Sequence, residues 1–241
     1  MSSNFAPTDD DVLTIIRSLG RQNVNLRLTK SFRGMVLNQV INILEVNPDC
    51  ATFQTTSIEM CAALEGNIYL HNQLFPKPVV ARLKNLNTCK GIFVLSGFTY
   101  IDTEWKERQH ERVRPPKTVY VTLHWRRKAF RASLENISVN GMGLLAYKIF
   151  KCGMKIQPGL NTQLEFQLSP EYKYMALKGR IIYSHAINSL FVKLGIQLYP
   201  KAREARSLKK YIAQRKNEIM EELDQAFTEL SKPRGVESLF F

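Results

Sequence analysis

At 241 residues and 44% hydrophobic composition, the chain is long enough for one large or two small domains with real cores. Its uninterrupted apolar stretches reach only four or five residues and its start, MSSNFAPTDDD, is acidic, so neither a spanning helix nor an export signal is expected and the chain reads as cytoplasmic. The formal net charge of +13 is concentrated: residues 104 to 131 hold nine Lys or Arg against three Glu, and residues 201 to 216 hold seven against one. Such patches point to a polyanionic partner (nucleic acid, an anionic membrane surface, an acidic protein face or a nucleotide messenger) or to a solvated basic face.

In chain order, Asp9 to Leu19 is a helical candidate, with Thr8 or Asp9 as N-cap, an acidic first turn and Gly20 as its stop. From Asn23 to Asp102 the signals are strand-like: NVNLRL, GMVLNQVINILEV, ATFQTT, NIYLH, PVVARL and GIFVLSGFTYI, punctuated by Asn47-Pro48-Asp49, Gly66-Asn67 and Pro76-Lys77-Pro78. That rhythm predicts a small antiparallel barrel or split barrel, with a helical turn or two at Ile58 to Leu64. A charged stretch, Glu104 to Arg112, then runs to Pro115-Pro116 and reads as a linker. Beyond it KTVYVTLHWR, AFRASLENIS, MGLLAY, TQLEFQL, ALKGRIIYS and LFVKLGIQL repeat the all-β rhythm.

From Lys201 the period changes. Leu208, Ile212, Ile219, Leu223, Ala226 and Leu230 recur at helical steps, predicting one long helix or two. Its first half is expected to cap or flank the preceding barrel. Its second half, with Glu218, Glu221, Glu222 and Asp224 outward, can pack on the N-terminal domain or pair with a second copy as a homodimer contact. The expected domains are therefore 1–103, a linker at 104–116, a barrel at 117–200 and a helix at 201–230.

Two short patterns carry the chemistry. The first is Arg108-x-x-x-Arg112 in the linker, and the second is Asn136-x-Ser138-x-x-Gly141 after a strand. Asn136 and Ser138, two residues apart, are expected on one face with Phe130, Ala132 and Leu134. Gly141 is expected in a turn with positive φ, where a missing side chain admits a phosphate or a base; Asn140-Gly141 also fits a plain hairpin. An arginine can pair bidentately with phosphate or with guanine O6 and N7, and can stack on a base. If the linker is extended, Arg108 and Arg112 stand about 13 Å apart; if helical, they share a face with Glu104 paired to Arg108. Repulsion among Arg108, Arg112 and Arg114, with Pro115 behind them, favours the extended form. A second pair, Arg127-x-x-x-Arg131, follows the strand KTVYVTLHWR and is assigned to the barrel wall.

The order of arginine pair, strand and [D/N]-x-S-x-x-G turn resembles the PilZ domain, over roughly residues 107 to 215. The resemblance implies a mainly β fold: two small antiparallel β-barrels, an N-terminal YcgR-like split barrel and a C-terminal PilZ barrel, with a C-terminal α-helix. It implies that cyclic di-GMP is bound by Arg108, Arg112, Asn136, Ser138 and Gly141, with Arg114 able to assist, and that the chain is a switch with no cofactor rather than an enzyme. The two-domain arrangement is similar to that of the YcgR-type flagellar brake proteins, which implies a protein target. Candidate targets are the flagellar motor, with recruitment to the flagellar basal body, and exopolysaccharide machinery.

The rival reading is a basic nucleic-acid-binding β-barrel, favoured by the net charge and by Phe93, Phe98 and Tyr100 near basic residues. Those aromatics fit a core-facing strand equally well. His71, His110, His124 and His185 are scattered with no nucleophile motif, which argues against catalysis. Cys50, Cys61, Cys89 and Cys152 form no C-x-x-C pair and have no histidine at metal spacing, so reduced thiols are expected and no metal.

Overall fold

Among the residues described by the structure, a computed structural model covering 9–102, 110–125, 128–147 and 157–232, the period-two alternation resolves into two closed six-stranded antiparallel barrels. A helix precedes the first barrel and another follows the second.

The first helix, α1 (Asp9–Arg21), carries Val12, Ile16 and Leu19 at i, i+4 and i+7, all fully buried. It does not stop at Gly20, as the sequence suggested. The left-handed residue is Asn23 (φ 52°), with Val24 N–H donating to the Leu19 carbonyl at 3.0 Å, and Asn23 N–H to that of Gly20 at 3.2 Å. Asparagine's short polar side chain tolerates that conformation. Gly20 stays helical and lies close against the sheet, where a β-carbon would stand 3.2 Å from Ile43 Cγ2.

The first barrel comprises β1 (Leu26–Phe32), β2 (Met35–Val46), β3 (Cys50–Thr55), β4 (Asn67–His71), β5 (Val79–Asn87) and β6 (Ile92–Tyr100), with a 3₁₀ segment at Ile58–Ala63. Strand order is β1-β2-β3-β6-β5-β4, closed between β1 and β4. Its core joins the buried face of α1 to Leu26, Leu28, Ile41, Phe53, Ile68, Leu70, Phe93 and Leu95. Phe53 and Phe93 are cross-strand partners whose rings stack at 5.6 Å.

The second barrel comprises β7 (Tyr120–Trp125), β8 (Lys128–Ser138), β9 (Gly141–Tyr147), β10 (Asn161–Phe166), β11 (Met175–Ala186) and β12 (Phe191–Tyr199). Strand order is β10-β11-β12-β9-β8-β7, closed by pairing of β7 with β10. Val121, Leu123, Leu144, Leu164, Leu194 and Ile196 face its interior.

A bulge between Leu134 and Asn136 corrects the sequence reading of β8. An extra residue reverses the phase of alternation. Leu134 and Ile137 both point inward, opposite Leu144 and Met142. Asn136 and Ser138 share a face as expected, but it is the outer one, opposite Gly143 and Gly141, and not the face of Ala132 and Leu134.

The final element, α2, is one helix, Ala202–Ser231. Its start is fixed by Glu204, whose carboxylate accepts from Lys201 N–H at 2.6 Å, half of a capping box. Leu208, Tyr211, Ile212, Arg215 and Ile219 form its buried stripe.

Candidate functional site

Strand β7 pairs with β8 only as far as Tyr120 opposite Ser133, with Leu134 N–H still reaching the Val119 carbonyl at 2.8 Å. Beyond that point the segment before β7 takes over the free edge of β8. Val113 and Ile137 exchange both backbone hydrogen bonds at 2.9 Å, and Val113 is fully buried. Extended backbone alternates its side chains, so with Val113 turned inward Arg112 and Arg114 are left outside.

Arg112 reaches the turn that joins β8 to β9. A β-carbon built on Gly141 would lie 3.9 Å from a terminal guanidinium nitrogen of Arg112, 3.6 Å from Ser138 Oγ and 3.2 Å from the Ile196 carbonyl oxygen. His110, two residues earlier, reaches the same turn, with Nε2 2.8 Å from Asn140 Nδ2. Arg114 turns the other way along β8, its Nε donating to the Glu135 carbonyl at 3.4 Å. Arg108 lies outside the described residues.

The turn is not the one the sequence suggested. Ser138 pairs with Gly141, so Val139 and Asn140 form the tip, and neither they nor Gly141 adopts positive φ. A primed Asn-Gly hairpin turn is thereby ruled out. Glycine is favoured by close approach instead, because the Ile196 carbonyl oxygen would stand only 3.2 Å from its β-carbon. Ser138 is only 3% exposed, and its hydroxyl donates to the Gly141 carbonyl at 3.1 Å and holds the turn closed.

Next to it the Asn136 side chain lies across Gly143, whose β-carbon would stand 2.9 Å from Asn136 Nδ2. Asn136 Oδ1 is buried with no hydrogen-bond partner among the described residues. Gly143 in turn pairs with Gly195 on β12, over which the Tyr183 ring is laid so closely that no β-carbon would fit. Gly141, Gly143 and Gly195 thus make a floor of glycine on the outer face, with the Asn136 side chain lying over Gly143, the Tyr183 ring over Gly195 and Arg112 at the edge by Gly141. Of the residues singled out in the sequence, Arg112, Asn136, Ser138 and Gly141 lie together here, beside Gly143, Gly195 and Tyr183, which were not singled out. The period-two spacing of Gly141 and Gly143 was the available signal for the first.

The helix is tied to the same segment. Lys216 Nζ contacts the two carboxylate oxygens of Glu111 at 2.6 and 2.7 Å, and Arg215 Nε donates to the Arg114 carbonyl at 2.8 Å. His110, Glu111, Val139, Lys209 and Lys216 line a cleft of about 510 Å³ beside the turn.

Arg131 projects from β8 with its guanidinium 4.4 Å over the Tyr120 ring, away from this cluster, and Arg127 lies outside the described residues. Phe93 and Phe98 are buried in the first barrel, so neither presents a stacking surface. Among the described residues no three His, Cys, Asp or Glu converge on a metal position, and no helix is long and apolar enough to cross a membrane. Cys50, Cys61 and Cys89 are free thiols, and Cys152 lies outside the described residues.

Residues 106–214 match the family model of the PilZ domain. No curated protein matches the chain significantly. Among solved structures, Escherichia coli YcgR in complex with c-di-GMP is 16% identical, with a TM-score of 0.45 over 91% of this chain and 96% of that one. The K. pneumonia MrkH-c-di-GMP complex is 13% identical, with a TM-score of 0.46 over 89% and 97%. The Bacillus subtilis inhibitor of motility MotI/DgrA is 13% identical, with a TM-score of 0.41 over 80% and 96%.

Proposed function

With residues 106–214 a PilZ domain, we infer that the chain is a cyclic di-GMP receptor that acts as a switch rather than a catalyst. The observation that carries this reading is the approach of Arg112 to Gly141 on the glycine floor beside Asn136. The Arg112 guanidinium at the edge of this floor can pair with phosphate or with guanine O6 and N7. Asn136 Oδ1 offers an acceptor to a guanine N–H. Ser138 acts by closing the turn, Arg108 supplies a second cation from the same lead-in, and Arg114 assists.

Output follows from the position of the lead-in between two barrels. A ligand that engages both the lead-in and the second barrel orders the joint, changes the mutual orientation of the domains and relays the signal to a protein target. The flagellar motor, reached at the basal body, and exopolysaccharide machinery are the candidate targets, and the site of action is the cytoplasm. The second half of α2 is a candidate homodimer contact. Competition binding tests the receptor assignment: cyclic di-GMP should displace a fluorescent cyclic di-GMP probe at micromolar concentration, and GTP and cyclic AMP should not. Equal displacement by all three would refute selectivity.

A further inference from the structure

Away from the glycine floor, the second barrel carries another recess. Strands β7 and β10 are held by only three residue pairs, ending at Thr122 opposite Glu165, whereas β7 with β8 and β10 with β11 each form six. Past that point the seam divides. The gap, with α2 alongside, forms a groove of about 900 Å³. Its walls carry Tyr120, Tyr172, Tyr174 and Tyr211, together with the carboxylates of Glu165, Glu171 and Glu218.

Three features of the groove bear on what it takes. In a chain of net charge +13, this recess gathers three carboxylates, of which Glu218 is paired with Arg215 at 3.0 Å while Glu165 and Glu171 face the groove beside Lys117 and Arg131. One of those cations already shows how the wall receives a guanidinium: Arg131 lies over the Tyr120 ring at 4.4 Å. Tyr211, only 5% exposed, lines the groove, and its hydroxyl is buried with no hydrogen-bond partner among the described residues. A buried phenol hydroxyl left without a partner is costly and ready to be met by a ligand group. Around it the other polar groups are held in place: Tyr172 by Gln214 at 3.0 Å, Tyr174 by Glu165 at 3.0 Å, and the Tyr172 and Tyr211 rings edge-on at 5.3 Å. Aromatic faces interleaved with fixed carboxylates suit a cation on a flexible stem.

We propose that this groove is a docking site for an arginine- or lysine-bearing segment of a protein partner, distinct from the glycine floor and independent of what binds there. The guanidinium stacks on the exposed tyrosine faces and is neutralised by Glu165 and Glu171, and a polar group of the segment meets the Tyr211 hydroxyl.

The probe is a fluorescein-labelled Gly-Arg-Gly-Arg-Gly peptide, titrated into the full chain and followed by anisotropy, beside the same peptide with citrulline for arginine. The overall positive charge disfavours cationic peptides elsewhere on the surface, so saturable binding reports a local site. The arginine peptide is expected to bind and the citrulline peptide to bind at least about fivefold more weakly. Glu171→Arg, at an exposed position, and Tyr211→Phe, which deletes only the hydroxyl, should each weaken it by about fivefold or more. Glu45→Arg, the same charge change on the first barrel, should not. No saturable binding, equal binding of the citrulline peptide, or an equal effect of Glu45→Arg would each overturn the proposal.

Discussion

Arg112 and Gly141 meet on the outer face of the second barrel, a guanidinium nitrogen standing 3.9 Å from where a Gly141 β-carbon would be. A methyl group there would also come within 3.2 Å of the Ile196 carbonyl oxygen, which belongs to a paired strand and yields little. Gly141→Ala is therefore expected to weaken cyclic di-GMP binding by about tenfold or more, close to 1.4 kcal/mol. Gly143→Ala is the informative companion. Its methyl would displace the Asn136 amide rather than backbone, so affinity should fall while the thermal midpoint stays nearly unchanged. Titration and thermal unfolding of both variants separate the two effects.

Arg215 is only 3% exposed, and it donates both to the Arg114 carbonyl at 2.8 Å and to Glu218 at 3.0 Å. Arg215→Met keeps the apolar stem and removes the donors. It should destabilise the protein by about 1–3 kcal/mol, the cost of a carbonyl stripped of its partner. Arg215→Lys should recover only part, since an ammonium cannot reproduce the planar fork. Denaturant unfolding monitored at both variants measures the difference.

Much of the fold was legible because its strands are half-buried. Val119, Val121 and Leu123 alternate with exposed or half-buried neighbours just as the pattern required. The local errors have a common origin, in that tertiary contacts overrode local signals. Gly20 looks like a helix stop, but it stays helical against Ile43 and the helix runs to Arg21, with Asn23 as the left-handed residue that follows. Asn140-Gly141 looks like a primed turn, but the pairing of Ser138 with Gly141 moves the tip by one residue. The bulge before Asn136 has no glycine or proline to announce it, and it decides which face the site occupies. Arg215 sat unremarked in a basic patch left open between a partner-binding and a solvated face, because nothing local reveals a carbonyl 101 residues away in sequence.

Stability should decline in alkali. Burial pushes the Cys61 thiol up from 9.0 to about 11, and the Tyr211 phenol from 10.0 to about 12. Each folded pKa lies above its unfolded value, so the folded state keeps a proton that the unfolded chain gives up. The stabilisation is complete below about pH 9 and is lost as the pH rises towards 12. Lys30, lowered by desolvation, works in the opposite direction and blunts the trend. Thermal midpoints should fall steadily from pH 9 upward, and exposed Cys89 should alkylate at pH 8 long before buried Cys50 or Cys61.

Ordering of the lead-in by ligand should be visible in solution. Trypsin cleavage after Arg108 is expected to slow when cyclic di-GMP is added, and small-angle scattering should register a change in overall dimensions. Slowed cleavage with superimposable scattering curves would separate ligand binding from reorientation of the domains, leaving the first and removing the second.

Calorimetric titration of the unmodified chain beside Arg112→Ala and Arg131→Ala decides whether Arg112, at the Gly141 turn, grips cyclic di-GMP. The unmodified chain and the Arg131 variant should bind with affinities within a few-fold of each other. Arg112→Ala should lose about 2–3 kcal/mol, because a charge-assisted contact disappears while its anionic partner remains in the site. Absence of binding heat from the unmodified chain at about 100 μM ligand, equivalent to about 5.5 kcal/mol, would contradict the account. So would an Arg131 variant impaired more than the Arg112 variant.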